Sequence, residues 1–260
     1  MTATPEPVAP AAAPPVRQLA LLTQRRFWPL FHVQFLGALN DHVFKNAFMA
    51  LLTWRLADRL GLDLDFHVLF AGALYILPFA LVAGTAGQIA DGIDKAVMTR
   101  RVKAAEIVLM ALAGLAFHLE SLTVLFALLF LMGAQSAVFA PIKYAVLPSL
   151  LPRRELMAGN GLVQSATFLA IVVGQILGIK VALAPGGVGV VSGAVVALAV
   201  LGWGASLFMP ALPPAPGPAP RVAWTLLPAI REVVRDCARR PTPFFAVLAI
   251  VWFWFAGATF

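Results

Sequence analysis

Long apolar runs separated by short polar gaps fill most of the chain after residue 26. A helix that crosses a membrane needs roughly 20 mostly apolar residues, because each residue adds only ~1.5 Å to its length. Proline, glycine or charged residues mark every gap between the runs. The pattern predicts six transmembrane helices and the start of a seventh, at 29–56, 67–90, 102–119, 122–147, 156–183, 187–208 and 244–260.

The segments outside the runs divide the chain into four parts. The first of these, rich in alanine and proline, lacks the leucine-rich core and cleavage site of a signal peptide, so we expect a disordered tail. The predicted fold class is an all-α membrane protein. We expect the parts to be a disordered cytoplasmic tail over 1–25, a six-helix transmembrane bundle over 26–208, a cytoplasmic Pro-rich linker and amphipathic helix over 209–243, and a truncated seventh transmembrane helix over 244–260.

The predicted linker has two distinct halves. Residues 210–220, PALPPAPGPAP, predict a stiff and extended segment. Over 221–240 the apolar residues recur every three or four positions and the arginines recur every four positions on another face. The apolar set is Trp224, Leu227, Ile230, Val234 and Cys237, and the basic set is Arg231, Arg235 and Arg239. This pattern is typical either of a helix in the headgroup zone of the inner leaflet or of a solvated connector.

Composition excludes a soluble globular protein. Hydrophobic residues make up 61% of the chain and charged residues only 12%, against ~25% charged in globular proteins. The formal net charge is nevertheless +7, and a basic chain raises the possibility of nucleic-acid binding.

The positions of the basic residues indicate a different origin for this charge. If the N-terminus is cytoplasmic, fifteen of the nineteen Lys and Arg residues flank inner helix ends, among them Lys103 and Lys143. Three flank the outer ends, and Lys45 lies within a span. The positive-inside rule then places the N-terminus in the cytoplasm. The excess charge indicates membrane topology and contact with anionic lipid, and nucleic acid is not an expected partner.

The first predicted helix carries a polar insert in an apolar run, FLGALNDHVFKNAF, which contains Asn40, Asp41 and Lys45. Asp and Lys each cost ~2.5–3.5 kcal/mol at the centre of a membrane helix, so we expect them to face a watered cavity. Lys45 lies four residues after Asp41, where the two side chains are able to pair, and Gln34 extends the same face. The insert is either a headgroup or coupling-ion site or an ion pair that holds helices together.

The fourth predicted helix ends in GAQSAVFAPIKYAVLPSLLP and adds three residues to the candidate site, Gln135, Lys143 and Tyr144. Pro141 is expected to break or kink this helix. Lys143 either faces a phosphate that enters from the cytoplasmic half or extends to the inner headgroups.

The fifth predicted helix carries amide and hydroxyl side chains on one face, namely Asn160, Gln164, Thr167 and Gln175. They either line the cavity or form hydrogen bonds between helices, and we include Asn160 and Gln164 in the candidate site. Gly174 and Gly178 form a pair of small residues one turn apart, which favours close contact between helices.

The loop between the second and third helices reads GQIADGIDKAVMTRR over 87–101. Gly87 allows close packing, and Asp91 is placed to cap the next turn and to pair with Arg100 or Arg101. Such a charge latch holds one conformation of a carrier and releases in the other. The alternative interpretation is a plain positive-inside loop with a helix cap.

Six helices, a long cytoplasmic loop and another helix form the outline of half a major facilitator superfamily transporter and the start of its second half. The loop at 87–101 resembles the loop signature of that superfamily. A short echo also links the first and fourth helices, in which Gly37-Ala38 precedes Lys45 and Gly133-Ala134 precedes Lys143. This echo is expected of a three-plus-three repeat.

Three segments resemble a particular family, the bacterial lysophospholipid transporters. They are RRFWPLF, QFLGALNDHVFKNAFMALLTWRLAD and PIKYAVLPSLLPRRELMAGNGLVQSATFLAIVVGQILG, and the resemblance covers roughly 24–260. The family usually shows NDN where this chain has Asn40-Asp41-His42, so the acidic position is kept. The resemblance implies a carrier that moves lysophosphatidylethanolamine-like lipids across the bacterial inner membrane for re-acylation. The first two segments look most like members fused to downstream acyltransferase and acyl-activating domains, which makes this sequence similar to an N-terminal fragment of such a protein.

Other function classes are less well supported by the residues. An acyltransferase needs a His-x4-Asp segment, and none of the four histidines has an acidic residue five positions later. Without this motif we expect no enzyme activity in this chain. The single cysteine excludes a multi-cysteine zinc site, and we expect no metal or cofactor. The alternatives are a carrier of a drug or sugar coupled to protons through Asp41, and the membrane-anchoring part of a fused acyltransferase.

Overall fold

A computed structural model describes residues 18–56, 59, 61, 63–214, 234–235 and 238–259. Most of the predicted tail and of the predicted amphipathic helix lies outside these residues. The described part of the chain contains helices and no strand, which confirms the all-α class. The long helices are α1 (Trp28–Leu51, continued by a π-helical turn over Leu52–Leu56), α2 (Leu64–Gly92), α3 (Lys95–His118), α4 (Leu122–Leu150), α5 (Arg153–Leu183), α6 (Gly187–Leu207) and α7 (Pro241–Thr259).

The helix ends follow from local side chains. Pro29 lies in the first turn of α1, where a missing backbone N–H does no harm. The Asp63 carboxylate accepts the Phe66 amide and caps α2. Pro141 neither ends nor interrupts α4, which continues as one helix to Leu150, so the predicted helix break is wrong. Gly186 precedes α6 with φ +69°, a conformation that favours glycine.

The packing of the first six helices is symmetric. α1 packs against α5 and α6, while α4 packs against α2 and α3, and α3 also packs against α6. Exchanging α1–α3 for α4–α6 leaves this set of contacts unchanged. The packing therefore has the symmetry expected of a three-plus-three repeat.

Glycines set the closest contact between α1 and α5. A Cβ added at Gly174 would lie 2.9 Å from the Leu39 carbonyl oxygen, and one at Gly178 would lie 2.7 Å from that of Val43. Both distances are shorter than real Cβ contacts, so only glycine permits this spacing. The packing role predicted for these two glycines is confirmed.

Within the part of the chain that the structure describes, four helices, α2, α4, α5 and α6, are long and apolar enough to cross a membrane by length and composition. Large apolar side chains project from the outside of the bundle, including Leu69, Ile76, Val108 and Leu201, each 59% or more exposed. Polar and charged residues lie inside it. This distribution is that of a multi-pass membrane protein.

Ion pairs join loops at the two ends of the bundle. At one end the Arg26 guanidinium lies 2.6 Å from the Glu155 carboxylate and donates to the Leu150 carbonyl oxygen. At the other end Arg59 and Glu120 lie 2.8 Å apart. The first contact brings the RRFWPLF segment against the start of α5, so two of the segments that carry the family resemblance meet.

Candidate functional site

A polar cavity of about 170 Å³ lies within the bundle, lined by α1, α2, α3, α4 and α5. Four residues predicted from the sequence line it, namely Gln34, Asp41, Gln135 and Lys143. Tyr75, Lys103 and Ser136 line it as well, although sequence reasoning did not assign them to the site, and so does Thr167 from the polar face predicted for the fifth helix. The cavity joins charges of both signs in an otherwise apolar bundle.

The carboxylate of Asp41 is held by groups from two other helices. Ser136 donates its hydroxyl to Asp41 Oδ2 from α4, and Tyr75 donates its hydroxyl to the same oxygen from α2 over 3.4 Å. The other carboxylate oxygen, Oδ1, is buried and accepts no hydrogen bond from the described residues. A buried carboxylate oxygen without a donor is rare in folded proteins, which marks Asp41 as a candidate functional group.

The predicted ion pair between Asp41 and Lys45 is absent from the described bundle. Lys45 instead places its ammonium 5.2 Å from the centre of the Tyr75 ring. Both side chains contact Tyr75, since the Asp41 carboxylate accepts its hydroxyl and the Lys45 ammonium lies over its ring, and the Asp41 carboxylate also accepts the Ser136 hydroxyl from α4. Lys45 therefore belongs to the contact between α1 and α2, and it does not line the cavity.

A different ion pair lies at the centre of the bundle, between Lys103 and Glu106 of α3. The Lys103 ammonium donates to Glu106 Oε2 over 2.6 Å, and the two side chains are 3% and 1% exposed. From the sequence Lys103 is counted among the basic residues that flank inner helix ends, whereas the structure buries its side chain inside the bundle. Lys143, assigned to an inner flank in the same way, also lines the cavity.

Glu106 connects three helices. Asn40 of α1 donates its amide to Glu106 Oε1 over 2.8 Å, and Gln135 of α4 donates to Oε2 over 3.0 Å. Asn40 is fully buried, and Gln135 is 8% exposed. Both were predicted as site residues, and both hold Glu106 in place through these bonds. Of the two, Gln135 also lines the cavity. Asn40 is not among the lining residues.

The polar face predicted for the fifth helix divides between two places. Thr167 accepts a hydrogen bond from Gln34 over 2.8 Å at the polar cavity. Asn160 and Gln164 line a second, larger cavity of about 550 Å³, together with Tyr144 and apolar residues of α5 and α7. Gln175 is exposed. One helix thus contributes to a polar space and to a mainly apolar one.

The loop between α2 and α3 makes contacts other than those predicted. Asp91 is exposed, and Asp94 is the residue that caps α3, where its carboxylate accepts the amides of residues 96 and 97. The same carboxylate accepts the Leu212 amide over 2.9 Å, while Lys95 N–H donates to the Leu212 carbonyl oxygen. The prediction that Asp91 caps the next turn is wrong, because Asp94 lies directly before α3.

Arg100 and Arg101, which the sequence places in this loop, lie within α3 and do not make the expected pairing. Arg100 donates to the carbonyl oxygens of Ser206 and Met209 over 3.3 and 2.9 Å, which covers the free end of α6. Arg101 is exposed. A Cβ added at Gly87 would lie 3.7 Å from Pro141, an ordinary contact. Asp94 and Arg100 therefore bind the end of α6 and the segment that follows it, and Arg100 does not pair with Asp91.

No group of three or more His, Cys, Asp or Glu side chains in the described ranges could hold a metal ion. The polar cavity presents carboxylate, ammonium, amide and hydroxyl groups.

Comparison with known proteins finds curated relatives over most of the chain. It is 30% identical over 239 residues to the lysophospholipid transporter LplT of Enterobacter sp. (strain 638), an alignment covering 87% of this chain and 53% of that protein. It is 28% identical over 236 residues to the lysophospholipid transporter LplT of Escherichia coli O6:K15:H31 (strain 536 / UPEC), with the same coverage. The chain thus spans about half the length of the curated relatives it matches. Neither a protein-family model nor a solved structure matches the chain.

Proposed function

The chain is distantly related to the lysophospholipid transporters, as its sequence motifs indicated, and on that premise we propose that it moves lysophospholipid across a membrane by alternating access. The proposed substrate resembles lysophosphatidylethanolamine, and the proposed setting is the bacterial inner membrane with a cytoplasmic N-terminus. Delivery to the inner face would supply an acyltransferase with its lipid acceptor. Anionic lipids of the inner leaflet are proposed to contact the basic end of the bundle.

The polar cavity is the observation that carries this proposal. A phosphoethanolamine headgroup bears one phosphate and one ammonium, so its site needs both a cation and an anion. Lys143 lines the cavity and forms no ion pair with the residues that the structure describes, and it is proposed to face the phosphate. Asp41 lines the same cavity, and its carboxylate is proposed to face the ammonium. A charge-assisted hydrogen bond of this kind contributes about 1.5–3 kcal/mol.

The second cavity is proposed to hold the acyl chain. Phe168, Ile250 and Phe253 supply an apolar wall, while Asn160 and Gln164 lie on the same lining. Tyr144, next to Lys143 in the chain, lines this cavity as well. The adjacency of Lys143 and Tyr144 supports one amphiphile that spans a charged and an apolar space.

The loop of α2 and α3 is proposed to act as the conformational latch. Asp94 and Arg100 hold the segment that follows α6, and that segment leads toward α7. Gly87, Asp91 and Arg101 are proposed to serve the latch in the other conformation of the carrier, since alternating access changes the contacts of cytoplasmic loops.

Lysolipid uptake by proteoliposomes that hold the full-length protein tests the proposal. Asp41→Asn is expected to lower uptake about 10- to 100-fold, because it removes the anion offered to the ammonium. Asp65→Asn, which changes the exposed carboxylate in the first turn of α2, is the matched control and should leave uptake unchanged. Uptake by Asp41→Asn at the wild-type rate would contradict the assigned role.

A proton-coupled carrier of another solute is the second candidate, and the buried carboxylate of Asp41 favours it. A protonophore separates the two functions in the same proteoliposomes. Lysolipid movement that persists after the proton gradient collapses supports the first candidate. No lysolipid movement, together with uptake of a drug or sugar that stops when the gradient collapses, supports the second.

A further inference from the structure

We infer that Lys103 and Lys143 together form an anion site that takes the phosphate ester of the ligand. The identity of that ligand as a lysophospholipid rests on the proposed function. The arrangement around Lys103 does not, because it follows from contacts within the bundle.

Lys103 is the cavity-facing member of the buried ion pair. Its side chain is 3% exposed and lines the polar cavity, whereas Glu106 is not part of the lining. An ammonium has three N–H donors, and the structure gives this one a single hydrogen-bond acceptor, Glu106 Oε2. A purely structural ion pair has no need to present its cation to a cavity.

Gly37 of α1 makes room for this ammonium. A Cβ added at Gly37 would collide with Lys103 Nζ, so the ammonium lies directly against the backbone of α1. On another side the ring of Phe139 lies 4.9 Å from Nζ, with its negative face available to the charge. Three helices thus fix the position of one cation.

Glu106 is in turn held in place and unable to follow a moving lysine. Asn40 occupies its Oε1, and Gln135 shares its Oε2 with Lys103. The carboxylate therefore anchors the ammonium at a constant position. A preorganised cation binds an anion without the loss of side-chain freedom that a flexible surface lysine suffers.

The two lysines of the cavity wall offer a phosphate different things. The Lys103 charge is compensated by Glu106 at 2.6 Å, so Lys103 offers its remaining N–H donors, whereas Lys143 has no ion-pair partner among the described residues and supplies the positive charge. A phosphodiester carries one negative charge and several acceptor oxygens, so it can accept donors from both lysines. Asp41 remains for a cationic group on the same ligand.

Binding to the purified full-length protein in nanodiscs tests the inference with three probes. They are lysophosphatidylethanolamine, monoacylglycerol with the same acyl chain, and sn-glycerol 3-phosphate. The main variant is Lys103→Gln/Glu106→Gln, which removes both charges and leaves hydrogen-bonding amides. We expect it to bind lysophosphatidylethanolamine about 10- to 100-fold more weakly and monoacylglycerol unchanged, since only the first carries a phosphate.

A second variant guards against loss of folding. Gly37→Ala removes no charge and raises helix propensity, yet its methyl group must displace the end of the flexible Lys103 side chain. We expect the same selective loss of phosphate-lipid affinity. The control Arg59→Gln/Glu120→Gln neutralises an exposed ion pair at a bundle end and should bind every probe like the wild type.

The outcomes separate this inference from the proposed function. Wild-type affinity for lysophosphatidylethanolamine in both variants would overturn the anion site and leave the proposed function standing. Equal losses for the two lipids would overturn it too, because they would show a structural role. If the wild type ignores lysolipid but binds glycerol phosphate through Lys103, the proposed function fails and the anion site is supported. If the wild type binds neither phosphate compound, both are wrong.

Discussion

The close contact between α1 and α5 makes Gly178 a sensitive position for the whole site. A Cβ there would lie 2.7 Å from the Val43 carbonyl oxygen and 3.1 Å from the Ala47 amide nitrogen. Both atoms belong to the backbone of α1, which cannot move aside like the end of a flexible side chain. Overpacking of this kind costs about 1–3 kcal/mol, and it is only partly offset by the ~1 kcal/mol that alanine gains over glycine in a helix.

The matched control is Gly84→Ala in α2, where nothing lies within 4 Å of the added Cβ. There the gain in helix propensity acts alone, so the variant should be more stable by about 0.5–1 kcal/mol. Thermal unfolding of both variants of the full-length protein in the same detergent measures the contrast. Gly178→Ala should have the lower Tm of the two. If it unfolds at or above the temperature of Gly84→Ala, the helices are able to separate freely and the packing argument is refuted.

Two further changes probe the charged groups of α3 and its loop. Glu106→Leu leaves Lys103 buried without its anion and should destabilise the protein by about 3–5 kcal/mol, whereas adding Lys103→Met should restore most of the loss in an unfolding titration. A double variant no more stable than the single one would contradict this. Asp94→Ala removes the cap of α3 and the acceptor for Leu212, so it should cost about 0.5–2 kcal/mol and speed amide hydrogen exchange at Leu212, while unchanged exchange would show that the contact is not made.

Much of the fold could be predicted from the sequence because membrane helices need long apolar runs. The predicted run at 187–208 and the helix Gly187–Leu207 agree within one residue. The run at 102–119 was less accurate, since the structure begins that helix at Lys95. The first two turns of this helix carry charged residues, which a hydropathy pattern assigns to a loop. Asp94, a residue type that caps helices, was the local signal for a helix that begins at Lys95.

Part of the site followed from the same reasoning. Asp41 was identified because a carboxylate in an apolar run is costly, and it lines the cavity. Its partners were not identified, because Ser136 and Tyr75 come from other helices and spacing along one helix does not reveal them. The i,i+4 rule therefore suggested Lys45 as the partner, whereas the tertiary contact with α4 determines where the carboxylate points.

The start of α3 also explains why the central ion pair was missed. With the helix starting at Lys95, Lys103 lies eight residues inside it, about 12 Å along the axis, where its side chain is covered by neighbouring helices. A count of basic residues near helix ends treats such a lysine as evidence for membrane orientation. Lys103 is instead a charge buried inside the bundle, and a buried charge needs an anion. Glu106, one turn further on the same face, is that anion. The three-residue spacing of Lys103 and Glu106 was therefore the sequence signal for this pair, and the pair leads to the cation that lines the cavity.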